Sequence, residues 1–313
     1  MRQNAREPER RSRSGRLEDA IGNTPLVPLR RIAGGATVLV KLEGLNPSGS
    51  VKARAALEIV RAAERAGQLG AGRTLLDSSS GNTGIAYAML CAERGVACEI
   101  CVPANASEER KKLLLAYGAT LVITPAAEGS DGAIREARRR AAAEPATYFY
   151  ADQYNNPANV RAHEEGTGVE IWRQTRGRIT HFVAGLGTSG TFVGTGRRLR
   201  RMNSAVRLIA VQPASPFHGI EGLKHMPTAI VPGIFDATLA DETLAVATEE
   251  AQEMARRLGR EEGLLAGASG GANVAAALRV AASAPRDSLI VTVLPDGGDR
   301  YLSEPWLTGG GAA

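Results

Sequence analysis

From residue 37 to the C-terminal region, segments that read as strands alternate with segments that read as helices. The strand-like runs are TVLVKLE, TLLD, ACEICVP, TLVIT, TYFY, THFVAG, VRLIAVQ, LAVA and SLIVTVL. Helical patterns fall between them at about 50–66, 82–94, 107–117, 130–143, up to about 175, 190–201, 248–262 and 270–283. A strand that returns to its own sheet through a helix must run parallel to its predecessor, with a right-handed crossover. The expected fold class is therefore α/β, with parallel sheets wound into two doubly wound lobes. A seam near 150–156 divides them. The expected organisation is a disordered basic tail at 1–16, a smaller lobe at 38–152, and a larger lobe made of 17–37 with 153–313. Ligands in such folds bind where strand C-termini meet helix N-termini.

A pI near 9.3 suggests a polyanion partner until the charge is located. Residues 1–16 carry six arginines against two glutamates, leaving about one unit of the +5 net charge for the rest of the chain. A nearly neutral body gives no reason to expect nucleic acid. The most apolar helical stretch, AAALRVAASA, is short and interrupted by Arg279, so no membrane span is expected. Three cysteines and no apolar leader fit a cytoplasmic protein. Cys98 and Cys101 are spaced as CxxC, yet on a strand they point to opposite faces with Cα atoms about 10 Å apart. A disulfide needs about 7 Å or less, so packing is their expected role.

Three loops sit at strand-to-helix junctions and concentrate hydroxyls and glycines, and a fourth junction carries a lysine. In LEGLNPSGSVKARAAL, residues 42–57, Lys52 opens a helix directly after a Pro/Gly/Ser loop. Unpaired N–H groups and the positive dipole end disfavour a cation there, which lowers the amine's pKa and makes it a nucleophile toward an aldehyde. The chain holds only five lysines against 33 arginines. Lys111 and Lys112 read as a polar helix face and Lys41 as part of a strand, which leaves Lys52 and Lys224. The loop SSSGNTG at 78–84 offers an anion cradle. GLGTSGT at 185–191 matches GxGxxG, but the next strand ends at Gln212 with no acid for a ribose, and its Thr188, Ser189 and Thr191 suit a terminal phosphate. GASGGAN at 267–273 opens a third helix with Ser269, which reads either as an N-cap or as a hydroxyl facing a pyridine nitrogen.

Taken with DQYNNPAN, GLKHMPTAIVPGIFD and GGDRYLS, these motifs resemble fold-type II pyridoxal-phosphate enzymes of the tryptophan synthase β-like fold. They are most similar to cysteine synthases of the B type, over about residues 17–306. The resemblance implies that Lys52 carries the cofactor and acts in catalysis, and that Asn82 meets its 3′-oxygen. It implies that Gly187, Thr188, Ser189, Gly190 and Thr191 hold the phosphate and that Ser269 faces the ring nitrogen. The substrate carboxylate falls to Ser79, Ser80, Asn82, Thr83 and Gln153, and the leaving group to Lys224. No metal is expected, and a homodimer is implied by the family alone. Ala53 and Gly270 depart from the family pattern, which often has Asp and Ser there.

The implied reaction is β-replacement: an amino acid with a leaving group on Cβ loses it, and sulfide or a related donor adds to give cysteine. A neutral Ser269 at the ring nitrogen favours elimination and replacement over transamination. O-acetylserine is the expected principal donor, with O-phosphoserine as a second whose use depends on Lys224. The alternatives are a cystathionine β-synthase-like or serine/threonine dehydratase activity and, from another class, an NAD-dependent oxidoreductase built on GLGTSG. A catalytically silent regulatory homologue is disfavoured by the intact Lys52.

Overall fold

The computed structural model describes residues 15–70, 72–79 and 81–308. Residues 1–14 of the expected tail, and Ser80, lie outside the described residues. The strands are β1 (Leu26–Pro28), β2 (Thr37–Leu42), β3 (Thr74–Ser78), β4 (Cys98–Pro103), β5 (Thr120–Thr124), β6 (Tyr148–Tyr150), β7 (His181–Gly185), β8 (Arg207–Pro213), β9 (Glu242–Val246) and β10 (Leu289–Leu294). The helices are α1 (Lys52–Arg65), α2 (Asn82–Arg94), α3 (Glu108–Ala116), α4 (Gly129–Ala143), α5 (Pro157–Ala162), α6 (Gly168–Gln174), α7 (Gly190–Met202), α8 (Thr248–Arg257), α9 (Ala268–Ser283) and α10 (Pro305–Thr308).

Two sheets result. The larger has the order β1-β2-β10-β7-β8-β9 and is parallel except where β1 meets β2; the smaller has the order β5-β4-β3-β6 and is parallel throughout. Central strands such as β4 and β10 are apolar runs because helices cover both faces of a parallel sheet. The edge strands β5 and β9 are the exposed ones. Cys98 and Cys101 are free thiols, and they fall into different apolar clusters on the two faces of β4, as their spacing requires.

One expected boundary moves. The strand TVLVKLE, assigned to the smaller lobe from residue 38, lies in the larger sheet, where all six residues of β2 pair in parallel with β10. Val38 and Val40 enter the larger lobe's core, whereas Ala56, Ile59 and Val60 of α1 enter the smaller one. The chain therefore crosses between lobes in residues 43–51, and Lys52 is the first helical residue after the crossing. The helix expected to run to about 175 is also interrupted, by a π-helical turn at His163–Thr167 between α5 and α6. Such turns cluster at functional sites. Asn156 starts α5 by accepting a hydrogen bond from the Ala158 N–H, with Pro157 at the first helical position.

Candidate active site

Lys52 stands at the wall of a cavity of about 140 Å³ between the sheets, together with Ser79, Asn82, Thr83, Thr188, Ser189 and Ser269. Its amine is held below the usual lysine range chiefly by burial, while the carboxylates of Asp296 and Glu43 pull the other way. Burial, more than the helix start, is thus what makes this amine easy to deprotonate. The contrast with Lys41 is direct. Lys41 is fully buried, and its Nζ donates to Glu170 Oε2 and to the Thr24 carbonyl, both at 2.6 Å, and to Gln174 Oε1 at 2.9 Å. All three donors of that ammonium are spent on structure.

The loop at 185–191 turns into α7 through Ser189, a non-glycine residue at φ 69°. A left-handed serine is a strained conformation of the kind that gathers at ligand-binding turns. Ser189 Oγ is buried without a partner among the described residues. Thr188 Oγ1 accepts from Asn159 Nδ2 at 3.0 Å, and Thr191 Oγ1 lies 3.2 Å from His163 Nε2. His163 is anchored at its other ring nitrogen, 2.9 Å from Thr167 Oγ1. Burial, then the charge of Arg54, push it down to about 3, so the ring is neutral at working pH. At Gly187 a Cβ would come 2.1 Å from the Gly222 carbonyl oxygen. Gly190 does not line the cavity; a Cβ there would strike Asn159 Oδ1 at 2.0 Å, so its contribution is the close packing of α7 on α5.

On the other side, Ser79 Oγ staples its own loop by accepting from the Gly81 and Gly84 N–H groups at 3.1 and 2.9 Å. Thr83 Oγ1 donates to Gln153 Oε1 at 2.7 Å, and Gln153 Nε2 donates to the Ser78 carbonyl at 2.8 Å. One amide hydrogen of Gln153 remains for a ligand. Below this loop burial pushes Asp77 up to about 7, although the Ser78 and Gln153 N–H groups donate to it. Ser269, on the first turn of α9, is almost fully buried and faces the same cavity.

Several residues at the site were not singled out from sequence. Asp296, just past β10, accepts from Asn82 Nδ2 at 2.7 Å and from Tyr301 Oη at 2.8 Å, and its Oδ1 is without a partner among the described residues. Arg300 donates to Asn82 Oδ1 and to the Ser48 carbonyl, and it fills the space beside Gly49, where a Cβ would meet it at 2.1 Å. Gly49, at φ 73°, takes the left-handed backbone that favours glycine. Arg110 of α3 lines the cavity, stacks over the Tyr301 ring at 5.2 Å and pairs with Glu221. Lys224, which the sequence does single out, is largely buried, 3.3 Å from Asp131 Oδ1 and 5.1 Å from the centre of the Tyr154 ring. The signal for Asp296 was an acid at the C-terminal end of a parallel strand; Arg110 and His163 carried no local signal.

The arrangement fits pyridoxal phosphate. A deprotonatable lysine stands between a phosphate-sized cradle with an orphaned buried hydroxyl and a second anion loop, and a serine hydroxyl opens α9 beside them. Residues 17–296 match the family model described as pyridoxal-phosphate dependent enzyme. The chain is 49% identical to a cysteine synthase of Aquifex aeolicus, over 95% of this chain and 93% of that protein. It is 45% identical to cysteine synthase B of Salmonella typhimurium, over 92% and 94%. Among solved structures, an O-ureido-L-serine synthase matches with a TM-score of 0.89 at 40% identity, covering 95% of this chain and 96% of the other. A family match over most of the chain and a cavity built around a desolvated lysine agree: the chain belongs to the pyridoxal-phosphate dependent enzymes, and pyridoxal phosphate is its cofactor.

Proposed function

We propose that the protein is a cysteine synthase: it replaces the β-acetoxy group of O-acetylserine by sulfide, with Lys52 as the residue that carries the cofactor. The observation that carries this reading is the desolvated amine of Lys52 set between two separate anion cradles in one cavity, one for a phosphate and one for an amino-acid carboxylate. The Aquifex and Salmonella relatives bear the same activity in their names.

In this reading the cofactor supplies an electron sink for the charge that develops at Cα. The rest is done by the chain. Ser189, Thr188, Thr191 and the N–H groups opening α7 hold the phosphate, with Gly187 in the lining of the cradle and Gly190 packing α7 on α5. Ser79, Asn82, Thr83 and Gln153 orient the carboxylate. Lys52 Nζ, neutral when released, takes the Cα proton as the leaving group departs. Ser269 gives the ring nitrogen a neutral partner, which favours replacement over transamination. The smaller lobe, read here as α1 to β6, closes over the substrate.

The reading extends to a cytoplasmic homodimer acting on small molecules. No helix among the described residues is long and apolar enough to cross a membrane. The test is direct. The purified protein is yellow, and borohydride fixes the cofactor to the peptide containing Lys52; Lys52→Ala loses both the label and cysteine formation from O-acetylserine. A label on Lys41 or Lys224 instead would sink the assignment.

A further inference from the structure

Residues 221–224 reach across the cleft with two charges of opposite sign, and each meets its complement on the smaller lobe. Glu221 pairs with Arg110 of α3, and Lys224 pairs with Asp131 of α4. Lys224 is the better buried member of its pair, with 10% of its side chain exposed against 33% for Asp131. The Tyr154 ring covers it from another side. Arg110, Glu221, Lys224 and the neighbouring Ser130 all line the cavity. Asp131 does not itself line the cavity and acts on it through Lys224, so the two ion pairs that border this end sum to zero charge, although its most obvious feature in the sequence is a lysine.

We propose that Asp131 is a positioning residue that sets donor preference: by holding the Lys224 ammonium, it makes the leaving-group end of the site electrically neutral and selects an uncharged ester over a phosphate. This rests on the reading that donors of the O-acetylserine type bind with their leaving group toward Lys224. An acetyl ester needs no counter-charge. A phosphate monoester carries between one and two negative charges near neutral pH and has three acceptor oxygens. To reach Lys224 it must approach the Asp131 carboxylate or displace it, and like charges side by side are costly. The Lys224 ammonium keeps donors free beyond its one bond to Asp131 Oδ1, so the discrimination lies in its charge, which Asp131 offsets, and not in a shortage of donors. With Asp131 removed, the same lysine is a partly buried cation facing the cavity without its partner.

The experiment uses the holoenzyme and measures cysteine formation with sulfide from O-acetylserine and from O-phosphoserine. It compares wild type, Asp131→Asn, Asp131→Glu, Lys224→Ala and the double variant Asp131→Asn/Lys224→Ala. Asp131→Asn raises kcat/KM for O-phosphoserine up to about fivefold, mostly through KM, the upper end expected of a partly exposed ion pair. O-acetylserine turnover stays within about twofold. Asp131→Glu keeps the wild-type preference, and the gain vanishes in the double variant. A merely structural Asp131 would shift both donors alike, and that result overturns the proposal. So does a gain that persists without Lys224. If Lys224→Ala depresses O-phosphoserine use while Asp131→Asn leaves it unchanged, the proposal fails and the reading of Lys224 survives. If none of the variants changes the donor ratio, both fail while cysteine synthesis stands; no cysteine from either donor overturns the proposed function itself.

Discussion

Lys52 has ion-pair clusters on two sides. Behind it, where the chain crosses between lobes, Arg54 donates to both Glu43 and Glu170 through four hydrogen bonds of 2.6 to 2.8 Å, and Lys41 closes the group on Glu170. In front, at the cleft, Arg110–Glu221 and Lys224–Asp131 join the lobes. The rear group is largely buried: the side chains of Arg54, Glu43 and Glu170 are 4%, 0% and 10% exposed. At the front the Glu221 side chain is 43% exposed. A buried network with every acceptor matched is rigid, because any rearrangement strands a charge in a low dielectric. A half-exposed pair separates at little cost, because water takes the place of the partner. The same residue types therefore fix the helix that presents Lys52 in one place and permit the lobes to part in the other.

The largest effect expected from breaking this contrast is that of Arg54→Met. It leaves Glu43 and Glu170 facing each other without their shared cation, and a buried pair broken from one side costs about 3–5 kcal/mol. A shift of the urea midpoint measures it. A loss under about 1 kcal/mol would show that the rear cluster is as labile as the front one.

Acid comes next in size. Burial alone would raise Glu170, but hydrogen bonds and charge from Arg54 and Lys41 outweigh it and hold the carboxyl down at about 2. A carboxyl lowered by folding contributes stability that is fully present above its unfolded value near 4.5 and is lost as pH falls toward 2. The contribution is on the order of 2–3 kcal/mol. Asp77 acts with the opposite sign: raised to about 7, it binds its proton more tightly in the folded state, so stability falls as pH climbs from about 4 to 7. Unfolding scans from pH 2 to 8 should show a steep acid limb that Glu170→Gln makes shallower, the rest belonging to Glu43 and the other lowered carboxyls, and that Asp77→Asn leaves in place. An unchanged slope in Glu170→Gln would assign the limb elsewhere.

The two clusters also differ in how far sequence reveals them. The alternation of strands and helices and the hydroxyl-rich loops are local patterns, so the parallel sheets, the Lys52 junction and the 185–191 turn were legible. Lys41 reads in the sequence as a strand residue and lies in β2, but what holds its ammonium is not written there. Its three buried acceptors come from residues 24, 170 and 174. Nothing local announces such a partner set. The misplaced lobe boundary has the same origin, since β2 is claimed by β10, about 250 positions along the chain, through register that no window of sequence contains. Arg110, Asp131 and His163 became legible only once the fold had brought their partners to them.

The smallest effect belongs to Glu221→Gln. Arg110 then loses its carboxylate but keeps the Tyr301 ring beneath it, and opening of the cleft lets water reach its guanidinium. Global stability should change by less than about 1 kcal/mol, as for other exposed pairs. The change belongs instead to closure of the smaller lobe, and so to KM for the amino-acid donor, which should rise by about two- to threefold, in keeping with a pair of that strength. Salt supplies the control. The screening length shrinks from about 10 Å at 0.1 M to about 3 Å at 1 M, so the wild-type KM should climb with ionic strength until it meets that of the variant, whose own KM stays flat. Parallel salt curves for the two proteins would remove Glu221 from closure. A stability loss as large as that of Arg54→Met would erase the distinction between the two clusters.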